Sequence, residues 1–290
     1  MAISVRNRLF VGSQYVLPQH TLSALMYRLT RSENRLWTDA MIRLFTKIYG
    51  VDLTEALHTD PKDYRNFNEF FTRAIKPDVR PVCNDEGAVV SPADGRISQI
   101  GTLTGKRMIQ AKGKEFDLTT LLGGDAARSA PFAGGSFATI YLSPKDYHRL
   151  HMPVAGQLRE MLYIPGRLFS VNEATAAAVP GLFARNERVA TLFETSVGPM
   201  ALVLVGAIFV ASIETVWHGS VTPPPSAARR LQHWDYGTSG VWLKRGAEMG
   251  RFNMGSTVIL VFGPGAVSWA ASFQEGDPIR MGLRLGNTSR

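Results

Sequence analysis

Met200-Ala201-Leu202-Val203-Leu204-Val205-Gly206-Ala207-Ile208-Phe209-Val210-Ala211-Ser212-Ile213 comes nearer to a membrane span than any other stretch, and its reading decides the fold. A helix crossing a bilayer needs about 18–20 apolar residues, and this run is too short. It holds Gly206, is rich in Val and Ile, and is followed by Glu214. β-Branched side chains are stiff in helices and fit a pleated surface. The run therefore reads as buried strands.

Similar short apolar runs recur on both sides of it. They are Ala88–Val90, Ile97–Ile100, Phe137–Leu142, Met161–Ile164, Val189–Phe193, Val241–Leu243 and Ser256–Phe262, with Gly and Pro between them. Such punctuation predicts strands joined by turns. One helix is expected over Asn172–Ala178. Val221 to Arg230, with three consecutive prolines, reads as an exposed loop. No internal repeat is visible. Up to about Ile75 the pattern is helical instead. Asn66, Glu69 and Phe70-Phe71 resemble a capping box opening a short helix, and Pro77 and Pro81 mark a boundary. The expected class is α+β: a helical, membrane-associating segment over 1–76, then a compact β-rich domain, sandwich- or barrel-like, over 77–290.

The chain of 290 residues carries a formal charge of +8. Nucleic acid and anionic lipid both suit such a charge. Its distribution favours lipid. Arg6, Arg8, Arg28, Arg31, Arg35, Arg43 and Lys47 face only Glu33 and Asp39 in the first fifty residues. Leu22, Leu25, Met26 and Leu29, then Trp37, Met41, Leu44, Phe45 and Ile48, recur among them at helical spacing. Such faces either lie in a membrane interface or pack on the protein's own core. The single cysteine, Cys83, excludes an internal disulfide and suits a reducing compartment. With no Cys or His beside it, its thiol is expected to be inert. Nothing at the N-terminus reads as a signal peptide.

Three short segments carry the chemistry. In Gly250-Arg251-Phe252-Asn253-Met254-Gly255-Ser256-Thr257-Val258-Ile259, the Gly255-Ser256 bond is a place where a backbone can cut itself. The Ser256 hydroxyl can attack the open Gly255 carbonyl. Elimination of the resulting ester would turn the serine into dehydroalanine, which water then converts, with loss of ammonia, to a ketone on residue 256. A serine hydroxyl needs a base to become a good nucleophile, His is the usual base near neutral pH, and an Asp behind the His fixes its tautomer. Asp94 in Ser91-Pro92-Ala93-Asp94-Gly95-Arg96 and His151 in Tyr147-His148-Arg149-Leu150-His151-Met152-Pro153 would complete such a set. Each segment also has a plainer reading. Gly-Ser-Thr occurs in many loops, and Pro-Ala-Asp-Gly is an ordinary turn. His148 and His151, at i, i+3, could bind metal with Glu214, His218 or His233, although no tight zinc signature is present. Ser170-Val171-Asn172 could cap a helix or line a pocket.

Taken together, in this order and spacing, Ser-Pro-x-Asp-Gly, Tyr-His-Arg-x-His-Met-Pro and Gly-Ser-Thr resemble the phosphatidylserine decarboxylases of the bacterial, proenzyme type. Tyr163–Asn172, Leu182–Arg188, Gly206-Ala207 and Ser212–Trp217 agree, so the resemblance runs from about Arg6 to Val267. Met254 stands where that family usually has Leu, a swap close in volume and polarity. The resemblance implies autocatalytic cleavage into a β chain, 1–255, and an α chain, 256–290, forming a heterodimer; whether that unit dimerises further stays open. It implies a covalent pyruvoyl group made from Ser256 that forms a Schiff base with the substrate amine and draws electrons as CO2 leaves. It makes His151 the base for cleavage and His148 a proton donor in decarboxylation. Phe169, Ser170 and Asn172 would line the substrate pocket. No metal and no nucleic acid are implied. The partner is phosphatidylserine in the membrane, and the location is peripheral, on the cytoplasmic face of the cell membrane. Two other classes remain: a zinc-dependent hydrolase using His148, His151 and His218 or His233, and a non-catalytic membrane-binding β-domain with an intact Gly-Ser bond.

Overall fold

The strand Gly198–Val205 shows why the deciding run is apolar at every position. It pairs antiparallel with Arg188–Thr195 on one side and Thr257–Phe262 on the other. Successive side chains point to opposite faces, and both faces are buried. Met200, Leu202 and Leu204 enter one core, while Ala201, Val203 and Val205 enter another. The run expected to continue to Ile213 does not stay in this sheet. The strand ends at Val205, and Ile213–Thr215 forms a separate strand elsewhere. Gly206 marks the departure: its N–H donates to Glu187 O at 2.8 Å.

The structure is a computed structural model that describes residues 5–209, 212–223, 230–237, 240–254 and 257–289. Among these, the large sheet has nine strands. Its main path runs Gln232–Asp235, Gly156–Ile164, Arg188–Thr195, Gly198–Val205, Thr257–Phe262, Ser136–Tyr141, Gly95–Thr102 and Pro278–Ile279, and Trp242–Leu243 adds to Gly156–Ile164. One face packs against two smaller sheets. The first is ordered Gly219–Thr222, Ile213–Thr215, Glu248–Phe252, Arg149–His151; the second Ala88–Val90, Arg284–Thr288, Val267–Trp269. Leu150, Met249, Phe252 and Leu285 fill the layer between. The other face is covered by short helices and the hairpin Arg107–Ala111/Lys114–Asp117, which bury Leu118, Leu121, Phe169 and Phe183. The helix expected at Asn172 is Glu173–Ala178, with Asn172 as its cap accepting from Thr175 N.

The N-terminal part begins with three helices, α1 (Val5–Val16), α2 (Gln19–Thr30) and α3 (Arg35–Tyr49). Asn34 caps α3 by accepting from Trp37 N, and Gly50 ends it in the left-handed region at φ 64°, where glycine has no steric penalty. A fourth helix, α4 (Phe67–Phe71), starts as its sequence indicates, with Asn66 accepting from Glu69 N. The Glu69 carboxylate reaches one residue further back than a capping box requires, to Arg65 N at 2.7 Å. Phe67, Phe70 and Phe71 form a third core with Ile42, Val51 and Tyr64. Each such aromatic stabilises by about 1.5–3 kcal/mol relative to exposure. Phe45 belongs here, its ring 5.1 Å from Phe67 and 5.8 Å from Phe71. Its helical spacing allows a membrane face or the protein's own core, and the aromatic cluster takes it inward. No helix among the described residues is long and apolar enough to cross a membrane.

Candidate active site

Asp94 lies in the turn leading into Gly95–Thr102. Ser91 shapes that turn by donating to Ala93 O at 2.8 Å. Gly95 is required by close approach: a Cβ there would stand 2.2 Å from Tyr141 O. The Asp94 carboxylate is buried and held from two directions. Arg80 donates to it from Nε at 3.0 Å and from Nη2 at 2.6 Å, and Met281 N donates to Oδ1 at 2.8 Å. Arg80 Nη2 also reaches Glu55 Oε2 at 2.7 Å. Burial opposes the charge on Arg80, but its hydrogen bonds to Asp94 and Glu55 outweigh that, and its pKa is raised.

His151 stands at the end of the strand Arg149–His151. Its N–H donates to Pro92 O at 2.8 Å, which ties the two motif segments together. Its Nδ1 lies 2.8 Å from Gly246 O. A carbonyl only accepts, so Nδ1 carries the proton and, in the neutral ring, Nε2 is the acceptor. Tyr147 Oη lies 3.0 Å from Nε2 and donates to it. Burial lowers the His151 pKa, partly offset by the bond to Gly246 and by the charges of Glu248 and Asp94. The ring is thus a neutral base with its lone pair on Nε2. The direct Asp94–His151 contact of a triad is not formed in this arrangement. Gly246 orients the ring, and Asp94 acts on it through space.

His148 points into the aromatic cluster. It is fully buried, with its ring centroid 4.1 Å from that of Phe71. Nδ1–H donates to Asp146 O at 2.8 Å. Nε2 is buried with no hydrogen-bond partner among the described residues. Burial pushes the pKa down to about 3, against the bond to Asp146, which raises it. Its backbone carbonyl accepts from Phe252 N at 3.0 Å. Next along the chain, Asn253 is clamped: Nδ2 donates to Ser212 Oγ and to Glu214 Oε1, and Oδ1 accepts from Asn68. Met254 has φ 116° and packs against the aromatic core. A non-glycine residue there carries backbone strain. Gly255 and Ser256 lie outside the described residues. The chain resumes at Thr257, paired with Tyr141 and Val205, and Thr257 Oγ1 is also buried with no partner among the described residues.

A cleft of about 350 Å³ opens beside these groups, lined by Asp94, Tyr141, Tyr147, Arg73, Arg80 and Gly50 among others. Tyr141 and Ser143 also line a second cavity of about 430 Å³, which includes Asn172. Phe169 is not on either wall. It is core, with its ring 4.8 Å from Tyr15. Ser170 Oγ pairs with Thr175 Oγ1 at 2.6 Å and acts locally. Of the three expected pocket residues, Asn172 is the one that lines either of these two cavities. The histidines of the metal alternative do not meet: His218 packs on Trp234 and His233 bonds Glu160 Oε2. No group of three or more ligand-type side chains comes together among the described residues. Sequence reasoning missed Arg80 and Gly246. A buried Asp94 demands a cation, but nothing in the sequence says which one.

The geometry can now be set beside known proteins. Residues 67–287 match the family model described as phosphatidylserine decarboxylase, and residues 9–50 match a model described as PSD. The phosphatidylserine decarboxylase proenzyme of Methylococcus capsulatus is 54% identical over 280 residues, covering 97% of this chain and 96% of that relative. The proenzyme of that name from Nitrosococcus oceani is 57% identical over 282 residues (97% and 92%), and that from Bordetella pertussis 56% over 280 residues (97% and 94%). The chain is therefore an enzyme of the decarboxylase class. It belongs to the phosphatidylserine decarboxylase family.

Proposed function

We propose that the chain cuts itself between Gly255 and Ser256, converts Ser256 to a pyruvoyl group, and decarboxylates phosphatidylserine to phosphatidylethanolamine and CO2 at a membrane. The carrying observation is the bond from Phe252 N to His148 O, which brings the segment before Gly255 against the Tyr147–Pro153 motif. The surroundings fit a small electrophile on residue 256. His148 Nε2 and Thr257 Oγ1 are buried polar atoms with no partner among the described residues, and such atoms call for one. The pyruvoyl ketone supplies the electron sink for loss of the carboxylate.

The chain's own residues do the rest. His151 accepts the Ser256 proton at Nε2 during cleavage. Asp94 favours the imidazolium through space, and Arg80 holds that carboxylate in place. His148, expected as a proton donor, holds its proton on Nδ1 against Asp146 O, so Nε2 would have to accept a proton before it could pass one on during decarboxylation. Asn253 is clamped by side-chain hydrogen bonds and Met254 holds a positive φ immediately before residue 255. After cleavage, chains 1–255 and 256–290 remain together as a heterodimer.

Membrane association uses the helical part, read as residues 1–76, beside a catalytic domain of 77–290. Leu25 and Leu44 are 54% and 60% exposed, Trp37 is exposed too, and Arg28, Arg35, Arg43 and Lys47 stand among them. On α1, Val5, Leu9 and Val16 are exposed as well. Leu29 is half-buried and contributes less. The site would be the cytoplasmic face of the membrane. The experiment is intact mass spectrometry of the purified parent and Ser256→Ala. Two fragments from the parent and one from the variant support the reading; an active, uncut parent overturns it.

A further inference from the structure

Arg73 is a buried cation without an anion. It is 6% exposed. Nη2 donates to Lys145 O at 2.9 Å, while Nη1 is buried with no hydrogen-bond partner among the described residues. Nearby carboxylates are engaged elsewhere: Asp94 and Glu55 by Arg80, and Asp146 by Ser143. Buried charges are ordinarily paired, and the contrast within this protein is sharp. Arg188 is equally buried, yet its guanidinium nitrogens donate to the carbonyls of Leu121, Thr120, Ala184 and Asn186. Burial also pulls the Arg73 pKa down, only partly offset by Tyr64, Asp94, Asp146 and Glu55.

Its position gives the anion a chemistry. Arg73 lines the cleft that contains Asp94 and Tyr147, as well as a second one lined by Tyr64, Arg149 and Arg251. Gly50, the end of α3, is on the wall of the first, and α3 carries exposed Leu44 and Ile48. A lipid lying along α3 would present its headgroup to that first cleft. We propose that Arg73 anchors the phosphodiester of the phospholipid headgroup. This rests on the decarboxylase reading above. The substrate carboxylate is the poorer choice. A guanidinium paired with it would stabilise the ground state and oppose its loss as neutral CO2. The phosphodiester keeps its charge throughout, so pairing with it costs the reaction nothing.

The product distinguishes the two anions, because phosphatidylethanolamine retains the phosphodiester and lacks the carboxylate. Binding of dihexanoyl phosphatidylethanolamine by calorimetry is compared for the mature parent, Arg73→Met and Arg73→Lys, after intact mass has established cleavage of each. Loss of a charge-assisted bond at a buried site should weaken product binding at least about tenfold in Arg73→Met, and less in Arg73→Lys. KM for phosphatidylserine should rise in parallel, with kcat within about twofold. Unchanged product affinity overturns the proposal, whether or not KM rises; a rise in KM alone would assign Arg73 to the carboxylate. If Arg73→Met does not mature, the Arg73→Lys comparison decides. If the binding contrast holds but the cut parent releases no CO2 from phosphatidylserine, the decarboxylase reading falls and the phosphodiester anchor stands.

Discussion

Tyr147 Oη donates to His151 Nε2 across 3.0 Å, so the nitrogen that would act as base is already engaged by a phenol. Burial raises the Tyr147 pKa well above the usual phenol value, so it remains a donor at neutral pH. Because Gly246 fixes the His151 tautomer independently, Tyr147→Phe should free the lone pair without removing the base. Self-cleavage should then stay within about tenfold of the parent, whereas His151→Ala should lose 10²–10⁴-fold. A time course of fragment appearance measures both. Equal loss in the two variants would mean that the proton travels through Tyr147.

His148→Ala should separate the two reactions. Its Nε2 is bare and its ring is not bonded to His151, so the variant should be cut normally yet decarboxylate poorly. Gel analysis of cleavage and a CO2-release assay read the two steps separately. An uncut variant, or a fully active one, would remove His148 from the decarboxylation step.

Removing Arg80 should be costly in a specific way. Arg80→Met leaves the Asp94 carboxylate buried without its cation, and breaking a buried pair from one side costs about 3–5 kcal/mol. Chemical denaturation in a Ser256→Ala background, where a single chain unfolds, gives the number. Adding Asp94→Asn should restore part of the loss, since the uncompensated charge is then gone. If the double variant is no more stable than Arg80→Met, the Asp94–Arg80 pair is not the source.

Acid should destabilise the protein partly through His148. Its folded pKa is depressed to about 3, below the unfolded value near 6.5. The unfolded state therefore binds more protons as pH falls from about 6.5 towards 3, and stability declines over that window. His148→Asn should remove this share, about 2 kcal/mol between pH 6.5 and pH 5. Unfolding of the Ser256→Ala protein with and without the substitution tests the slope. Parallel pH curves would show that the ring is not held neutral.

The membrane surface gives the last contrast. Replacing Leu25, Trp37 and Leu44 with Ser should release the protein from anionic vesicles while leaving cleavage intact, and high salt should weaken but not abolish parent binding. Phe45→Ser should instead lower the melting temperature, because Phe45 lies within the aromatic core. Co-sedimentation and thermal melting distinguish the two effects. A triple variant that still sediments like the parent would place the membrane contact elsewhere.

The sequence made some of this legible because local chemistry determined it. The Val- and Ile-rich runs became strands, and Asn66 and Asn172 became caps, since each needs only its neighbours. The two motif segments meet through His151 N and Pro92 O. What was hidden depends on contacts distant in sequence. Phe45 has the spacing of a membrane face, but Phe67, Phe70 and Phe71 lie where it can join them. The expected partner of His151 was Asp94, yet Gly246, far along the chain, supplies the oxygen. Met200–Ile213 reads as one apolar unit, but pairing geometry divides it between two sheets.

The strand Thr257–Phe262 is flanked on both edges inside the nine-stranded sheet, and Arg284–Thr288 lies between two partners in another. A cut before residue 256 would therefore free an end without freeing a fragment. The architecture would be assembled while the chain is continuous and would outlive that continuity. Denatured after the cut, the protein would have to reform the middle of a sheet by collision of two separate polypeptides. Recovery would then depend on concentration, which the uncut precursor never faces. Maturation would then be a one-way passage: the instructions for building the enzyme would belong to the precursor, and the finished enzyme would no longer carry them on one thread.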